Sequence, residues 1–321
     1  MSNLRIVFMG TPEFAVESLD ILVKSNYNIV GVITVPDKPA GRGQQIQQSA
    51  VKKYAIEKGL TILQPEKLKA EDFLTELKAL NADLQIVVAF RMLPEIVWSM
   101  PRLGTFNLHG SLLPRYRGAA PINWAVINGD KETGVSTFFL QHQIDTGKII
   151  YREKIAIGEN DSAGEVHDQL MHIGAQLVLK TVQSIEKGIY PQTDQAEYIA
   201  KGEVEMHAPK LFKEDCKIDW TNSATEIHNL IRGLSPYPTA FTEFVSPDNK
   251  RYSVKLFKTE KELIAHNEPL NSIITDEKSF LKVAVKDGFI KITDLQLAGK
   301  KRMSVPEFLR GFQVGKAWSV N

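Results

Sequence analysis

LRIVFMGTPEFAVESLDILVKSNYNIVGVITV, Leu4 to Val35, is the stretch that decides the fold. It opens on the near-continuous apolar run LRIVFM and closes on IVGVITV at 29–35, which is rich in β-branched side chains. Runs of this length and composition suit strands covered on both faces, which have no polar side to show to water. Between them Thr11 stands as a helix cap, Pro12 takes the first helical position, and Ala15, Leu19 and Leu22 recur at helical spacing. Strand, helix, strand predicts a doubly wound, mostly parallel α/β sheet, and LQIVVAF at 84–90 adds another strand of the same kind. The first βα turn reads GTPEFA instead of G-x-G-x-x-G, which argues against a nicotinamide dinucleotide site.

Further along, Ser162-Ala163-Gly164-Glu165 has the spacing of a capping box. Val166, Leu170, Ile173, Leu177 and Val182 then share one helical face, so a long helix is expected to close a first domain at 1–189. The chain next turns polar and aperiodic, PQTDQAEYIAKGEVEMHAP, and 190–208 reads as a linker. From 209 to 321 the texture changes to short alternating runs, RYSVKLF, FLKVAV and GFIKIT, with few convincing helices. A small antiparallel β-domain is predicted there, a five-stranded, OB-like barrel being one candidate.

At 321 residues, 43% hydrophobic and 24% charged, the chain has the composition of a globular protein large enough for two domains. No apolar run approaches the roughly 20 residues of a membrane helix, and MSNLRIVFMG lacks the basic start of a secretory signal, so a cytoplasmic location is expected. The single cysteine, Cys216, cannot form an internal disulfide and reads as a small apolar residue. The +1 net charge divides unevenly: 20 basic and 20 acidic residues in 1–189, 1 and 4 in 190–208, 18 and 14 in 209–321, that is 0, −3 and +4. A modestly basic C-terminal third is weak support for a polyanionic partner.

The chemistry concentrates in FNLHGSLLPRYRGAAPINWAV, 106–126. Asn107 and His109 stand two apart on a strand that Gly110 ends, so they project from one face near its carboxyl end, where open α/β sheets bind ligands. A buried core histidine beside a turn-forming asparagine is the plain alternative. Asp145, in the loop before Gly147, is either an ordinary turn residue or the acid that orients His109. Asn and His are donors suited to the negative oxygen that develops when a nucleophile attacks a carbonyl. Ser111 lacks the glycine-flanked elbow of a hydrolase serine and reads as a hydrogen-bond donor, so the substrate must bring the nucleophile. No H-x-x-x-H or related spacing suggests a metal.

HGSLLPRYRGAAPI with Asn107 ahead of it and IDTG downstream resembles the folate-dependent formyltransferase family. MGTPEFA (9–15), VPDKPAGRG (35–43), IDW (218–220), IRGLSPYPTA (231–240) and LQLAGKKRMS (295–304) extend the likeness over nearly the whole chain, which differs from the family at AFRMLP (89–94) and LQHQID (140–145). The resemblance implies a Rossmann-like catalytic domain and formyl transfer from 10-formyltetrahydrofolate, without metal, to the α-amine of methionine on initiator tRNA. It places Asn107 and His109 on the formyl oxygen and Asp145 on His109, where it also aids proton transfer. Ser111, Leu112, Leu113 and Pro114 would line the folate's glutamate and aminobenzoate side. The pterin would lie against Val88, Phe90 and Leu93 and against Phe139 and Gln141. Arg42 would reach the tRNA acceptor end, and Lys300, Lys301 and Arg302 its backbone; a monomer is expected. A sugar-nucleotide formyltransferase, a formyltetrahydrofolate hydrolase and a non-catalytic tRNA-binding protein are the rival readings.

Overall fold

The structure, a computed structural model, describes residues 3–40, 45–315 and 317–321. The chain divides into two units, the first built from residues up to 118, 134–155 and 167–207, the second from 119–133, 156–166 and 208–321.

Seven strands form the sheet of the first unit: β1 (Arg5–Gly10), β2 (Asn28–Ile33), β3 (Ile62–Leu63), β4 (Leu84–Val88), β5 (Thr105–His109), β6 (Glu132–Phe139) and β7 (Ile149–Ala156). Their order is β7-β6-β5-β4-β1-β2-β3. Pairs among β1 to β5 are parallel, and β6 runs antiparallel to β5, with Asn107 opposite Phe138 and His109 opposite Ser136. The apolar runs read from the sequence become the strands whose side chains are sealed from water: Ile6, Phe8, Met9, Ile33, Ile86 and Val88 are all 0% exposed. The strand order reverses between β1 and β4, so the crevice of this doubly wound sheet opens between the carboxyl ends of β1 and β4, with β5 the next strand beyond β4.

The helix after β1 spans Glu13–Lys24 and buries Ala15, Leu19 and Leu22 as their spacing requires. Its cap differs from the expected one. Pro12 is the N-cap residue, and the buried Thr11 hydroxyl has no hydrogen-bond partner among the described residues. Ser162 and Glu165 do form their box: Glu165 donates its backbone N–H to Ser162 Oγ at 3.3 Å, and Ser162 N donates to Glu165 Oε2 at 2.7 Å, at the head of the helix Ala163–Glu186. The stretch 190–208, expected to be aperiodic, contains a helix, Gln195–Ala200, opened by a capping box between Asp194 and Glu197. D-Q-A-E carried that signal, hidden by polar surroundings.

The second unit is an antiparallel barrel. β8 (Ala240–Val245), β9 (Arg251–Glu262), β10 (Ile273–Thr275), β11 (Leu281–Val285), β12 (Gly288–Leu297) and β13 (Ser319–Val320) follow the order β10-β11-β12-β9-β8-β13, and Met303–Ser304 pairs with β12. Ile273 N donates to Trp318 O at 2.9 Å and Val320 N to Asn271 O at 2.9 Å, which joins the first strand of the path to the last. Closure removes the exposed edges that an open sheet would present. Phe244, Leu256, Val283 and Ile290 fill the interior at 0% exposure. Two helices escaped the alternating-strand reading, Ala224–Gly233 and Val305–Gly311, each opened by a Ser-x-x-Glu box that the sequence displays as SATE and SVPE. No described helix is long and apolar enough to cross a membrane.

Candidate active site

β5 ends on FNLHG, and its pleat turns Asn107 and His109 to one face. The HGSLLPRYRG segment after it is folded on itself by hydrogen bonds. Ser111, fully buried, donates its hydroxyl to Arg115 O at 2.6 Å. Ser136 Oγ, on β6, donates to Ser111 O at 2.7 Å and accepts from Leu113 N at 3.0 Å. The result is a loop with few freedoms left, whose Tyr116 carbonyl is aimed back at the strand end.

His109 is 6% exposed, and its Nε2 lies 2.8 Å from Tyr116 O. A carbonyl only accepts, so Nε2 carries the proton and donates it. Nδ1, the other ring nitrogen, faces Asp145 Oδ2 at 3.8 Å, longer than a hydrogen bond. Asp145 sits in the left-handed region, φ 54°, with Oδ2 held by the Gly118 backbone N–H at 2.9 Å. The Phe138 ring meets the imidazole edge-on at 6.4 Å between centroids. Asn107 is half-buried, and its carboxamide has no hydrogen-bond partner among the described residues. The structure thus brings Asn107, His109 and Asp145 to the end of β5: one donor unengaged among the described residues, one imidazole nitrogen and one carboxylate.

The residues expected around the folate range from buried to exposed. Val88, Ser111 and Leu113 are fully buried, Leu113 against Phe138 and Ile149. Leu93 packs among Val97, Phe90, Trp98 and Leu140, while Pro114 is buried and Leu112 and Phe139 are half-buried. Gln141 is exposed and donates to Thr146 Oγ1 at 2.7 Å. The two stretches that differ from the family lie close together. Arg91 donates Nη1 to Glu66 O at 2.8 Å and Nη2 to Pro65 O, its guanidinium pushed below the ordinary arginine value by burial. His142 Nε2 lies 3.4 Å from Glu95 Oε1, an exposed pair of small energetic weight.

Of the expected tRNA contacts, Arg42 lies outside the described residues. Lys300 and Lys301 are exposed beside β12, whereas Arg302 is tied to Asp294 at 3.2 Å and lies 4.6 Å over the Phe257 ring. Cys216 is buried, and burial raises its thiol pKa. Among the described residues no three His, Cys, Asp or Glu side chains could hold a metal ion.

A relative from Parabacteroides distasonis, a methionyl-tRNA formyltransferase, is 60% identical over 312 residues, which cover 97% of this chain and 96% of that one. Two solved structures share the fold. The sugar 3N-formyl transferase WlaRD, crystallised with dTDP and 5-N-formyl-THF, has a TM-score of 0.64 at 22% identity, covering 94% of this chain and 100% of that one. HypX from Aquifex aeolicus, with tetrahydrofolic acid, has a TM-score of 0.61 at 18% identity, covering 97% and 48%. Residues 4–182 match the family described as formyl transferase and 210–313 its C-terminal domain, and the chain accordingly belongs to the formyl transferase family.

Proposed function

We propose that this chain moves the formyl group of 10-formyltetrahydrofolate to the α-amine of methionine carried by initiator tRNA. The observation that carries the chemistry is the arrangement at the end of β5, an unengaged Asn107 carboxamide on the same strand face as a histidine whose Nδ1 faces Asp145. The acceptor is inferred from the 60% identity to a methionyl-tRNA formyltransferase over nearly all of both chains.

In this reading Asn107 donates to the formyl oxygen as negative charge builds on it, the kind of interaction that strengthens only in the transition state. His109, its Nε2 proton committed to Tyr116 O, offers Nδ1 to the same space. A bond forms from the amine nitrogen to the formyl carbon, the bond from that carbon to the folate nitrogen breaks, and one amine proton ends on the folate nitrogen. Asp145 and a water carry that proton and keep the imidazole in place. Residues 1–189 perform the chemistry, with the folate along Ser111 to Pro114 and between the 88–93 and 139–141 segments. Residues 209–321 take the tRNA backbone through Lys300 and Lys301, with Arg302, engaged by Asp294, beside them, and Arg42 takes the acceptor end.

The test is a formyl-transfer assay with three acceptors: charged initiator tRNA, a sugar-nucleotide amine and water. Transfer to the tRNA alone is expected, and preference for either of the others refutes the assignment.

A further inference from the structure

The segment after the long helix is fastened to the active-site loops. Thr193 exchanges both backbone hydrogen bonds with Ile149, at 2.9 Å each, which brings Gln195 under the Asp145 loop. Gln195 is 2% exposed although it lies in a polar stretch. Its Nε2 donates to Asp145 O at 2.8 Å and Gly147 O at 2.9 Å, while its Oε1 accepts from Arg117 Nε at 3.1 Å and Nη2 at 2.7 Å. A carboxamide has two N–H donors and two acceptor lone pairs, and here all four are used.

These bonds close a circuit. Gln195 grips the backbone on either side of Thr146, Arg117 links Gln195 to the end of the RYRG turn, and Gly118, next to Arg117, donates back to the Asp145 carboxylate at 2.9 Å. Asp145 needs such support, because its left-handed backbone, φ 54°, is an uncommon state for a residue with a Cβ. The same turn carries Tyr116 O, which holds the other ring nitrogen of His109. One buried carboxamide thereby sets both partners of the imidazole.

We infer that Gln195 is a positioning residue for formyl transfer, fixing Asp145 and the Tyr116–Gly118 turn against His109. The inference rests on the function proposed above. It acts through Asp145 and Arg117, so its loss should show in kcat and leave substrate binding alone.

The experiment uses the full-length chain. Gln195→Glu preserves volume and an acceptor for Arg117 but presents no donor to the two carbonyls. Its kcat is expected to fall by about 10²-fold, the scale of a misplacement near 1 Å, with KM for 10-formyltetrahydrofolate and for charged tRNA within about twofold. Asp194→Ala removes the cap of the same helix and keeps the carboxamide; it should lower thermal stability and keep kcat within about twofold. Should Gln195→Glu not fold, Arg117→Lys breaks the circuit at its other end, with an expected kcat loss of about tenfold. An unchanged kcat in Gln195→Glu or in Arg117→Lys, a loss that appears in KM instead, or an equal kcat loss in Asp194→Ala overturns the inference. A wild-type chain that fails to formylate charged tRNA refutes the functional proposal instead, so the two failures are distinct.

Discussion

Gly147 is where the active-site loop passes closest to a neighbouring backbone. A Cβ placed there would stand 1.7 Å from Phe139 O and 2.9 Å from Phe139 C, whereas Cβ contacts under 3.0 Å essentially never occur. Gly147→Ala must therefore separate the loop from the end of β6 by at least about 1.3 Å, the difference between 3.0 and 1.7 Å. Neither side can give cheaply. Gly147 O is tied to Gln195, Asp145 two residues earlier is tied to Gly118, and Phe139 N is held to Lys148 O at 3.2 Å. A shift on that scale in groups placed for attack costs about 10²-fold in rate, and overpacking of a filled site costs roughly 1–3 kcal/mol of stability. In the functional reading proposed above, kcat for formyl transfer should fall by about 10²-fold, measured at a temperature where circular dichroism shows the variant folded. Gly311→Ala, where a Cβ would meet nothing within 4 Å, is the matched control and should keep the wild-type rate. A Gly147→Ala chain with wild-type kcat and unchanged melting would show that the loop geometry does not set the rate.

Three further outcomes are expected. Asn107→Ala should fold normally and lose about 10²–10³ in kcat, since one oxyanion donor is worth about 2.7–4 kcal/mol; steady-state kinetics beside a melting curve decide it, and a wild-type rate removes Asn107 from the mechanism. Neutralising Lys300, Lys301 and Arg302 together should raise KM for tRNA and flatten the slope of log K against log salt by roughly 1.4–1.8 for two phosphate contacts, because Arg302 is already engaged by Asp294; an untouched slope removes this patch from the tRNA surface. Buried His228, its ring on Thr259 Oγ1 at 3.1 Å and Glu159 O at 3.4 Å, has its pKa lowered below the ordinary 6.5, chiefly by burial. The unfolded chain then binds the proton more readily than the folded one, so stability is complete above pH about 6.5 and declines as pH falls below it. His228→Gln should flatten that decline between pH 7.5 and 5.5 in thermal melts, and an equal decline in both proteins would assign it to other groups.

Much of this protein is legible in order along the chain. Apolar runs at 4–9, 29–35 and 84–90 specify buried parallel strands because a strand covered on both faces favours apolar side chains at successive positions, and they are the observed β1, β2 and β4. The two-residue spacing of Asn107 and His109 sets a shared face through the pleat alone. Signals that depend on a few residues in polar surroundings are overrun by composition, which is how the capping boxes at Asp194, Ser223 and Ser304 escaped a reading based on periodicity. Other features have no local signature. That Nε2 of His109 is committed to Tyr116 O, that Asp145 faces Nδ1 and takes a left-handed backbone, and that residues 119–133 and 156–166 join the unit formed mainly by 208–321 all require segments distant in sequence to be placed together. Gln195 is the sharpest case: a glutamine in a polar stretch reads as solvent-facing, and only the folded chain surrounds it with two carbonyls and a guanidinium, so that burial, which an unpaired amide could not bear, is balanced by four hydrogen bonds.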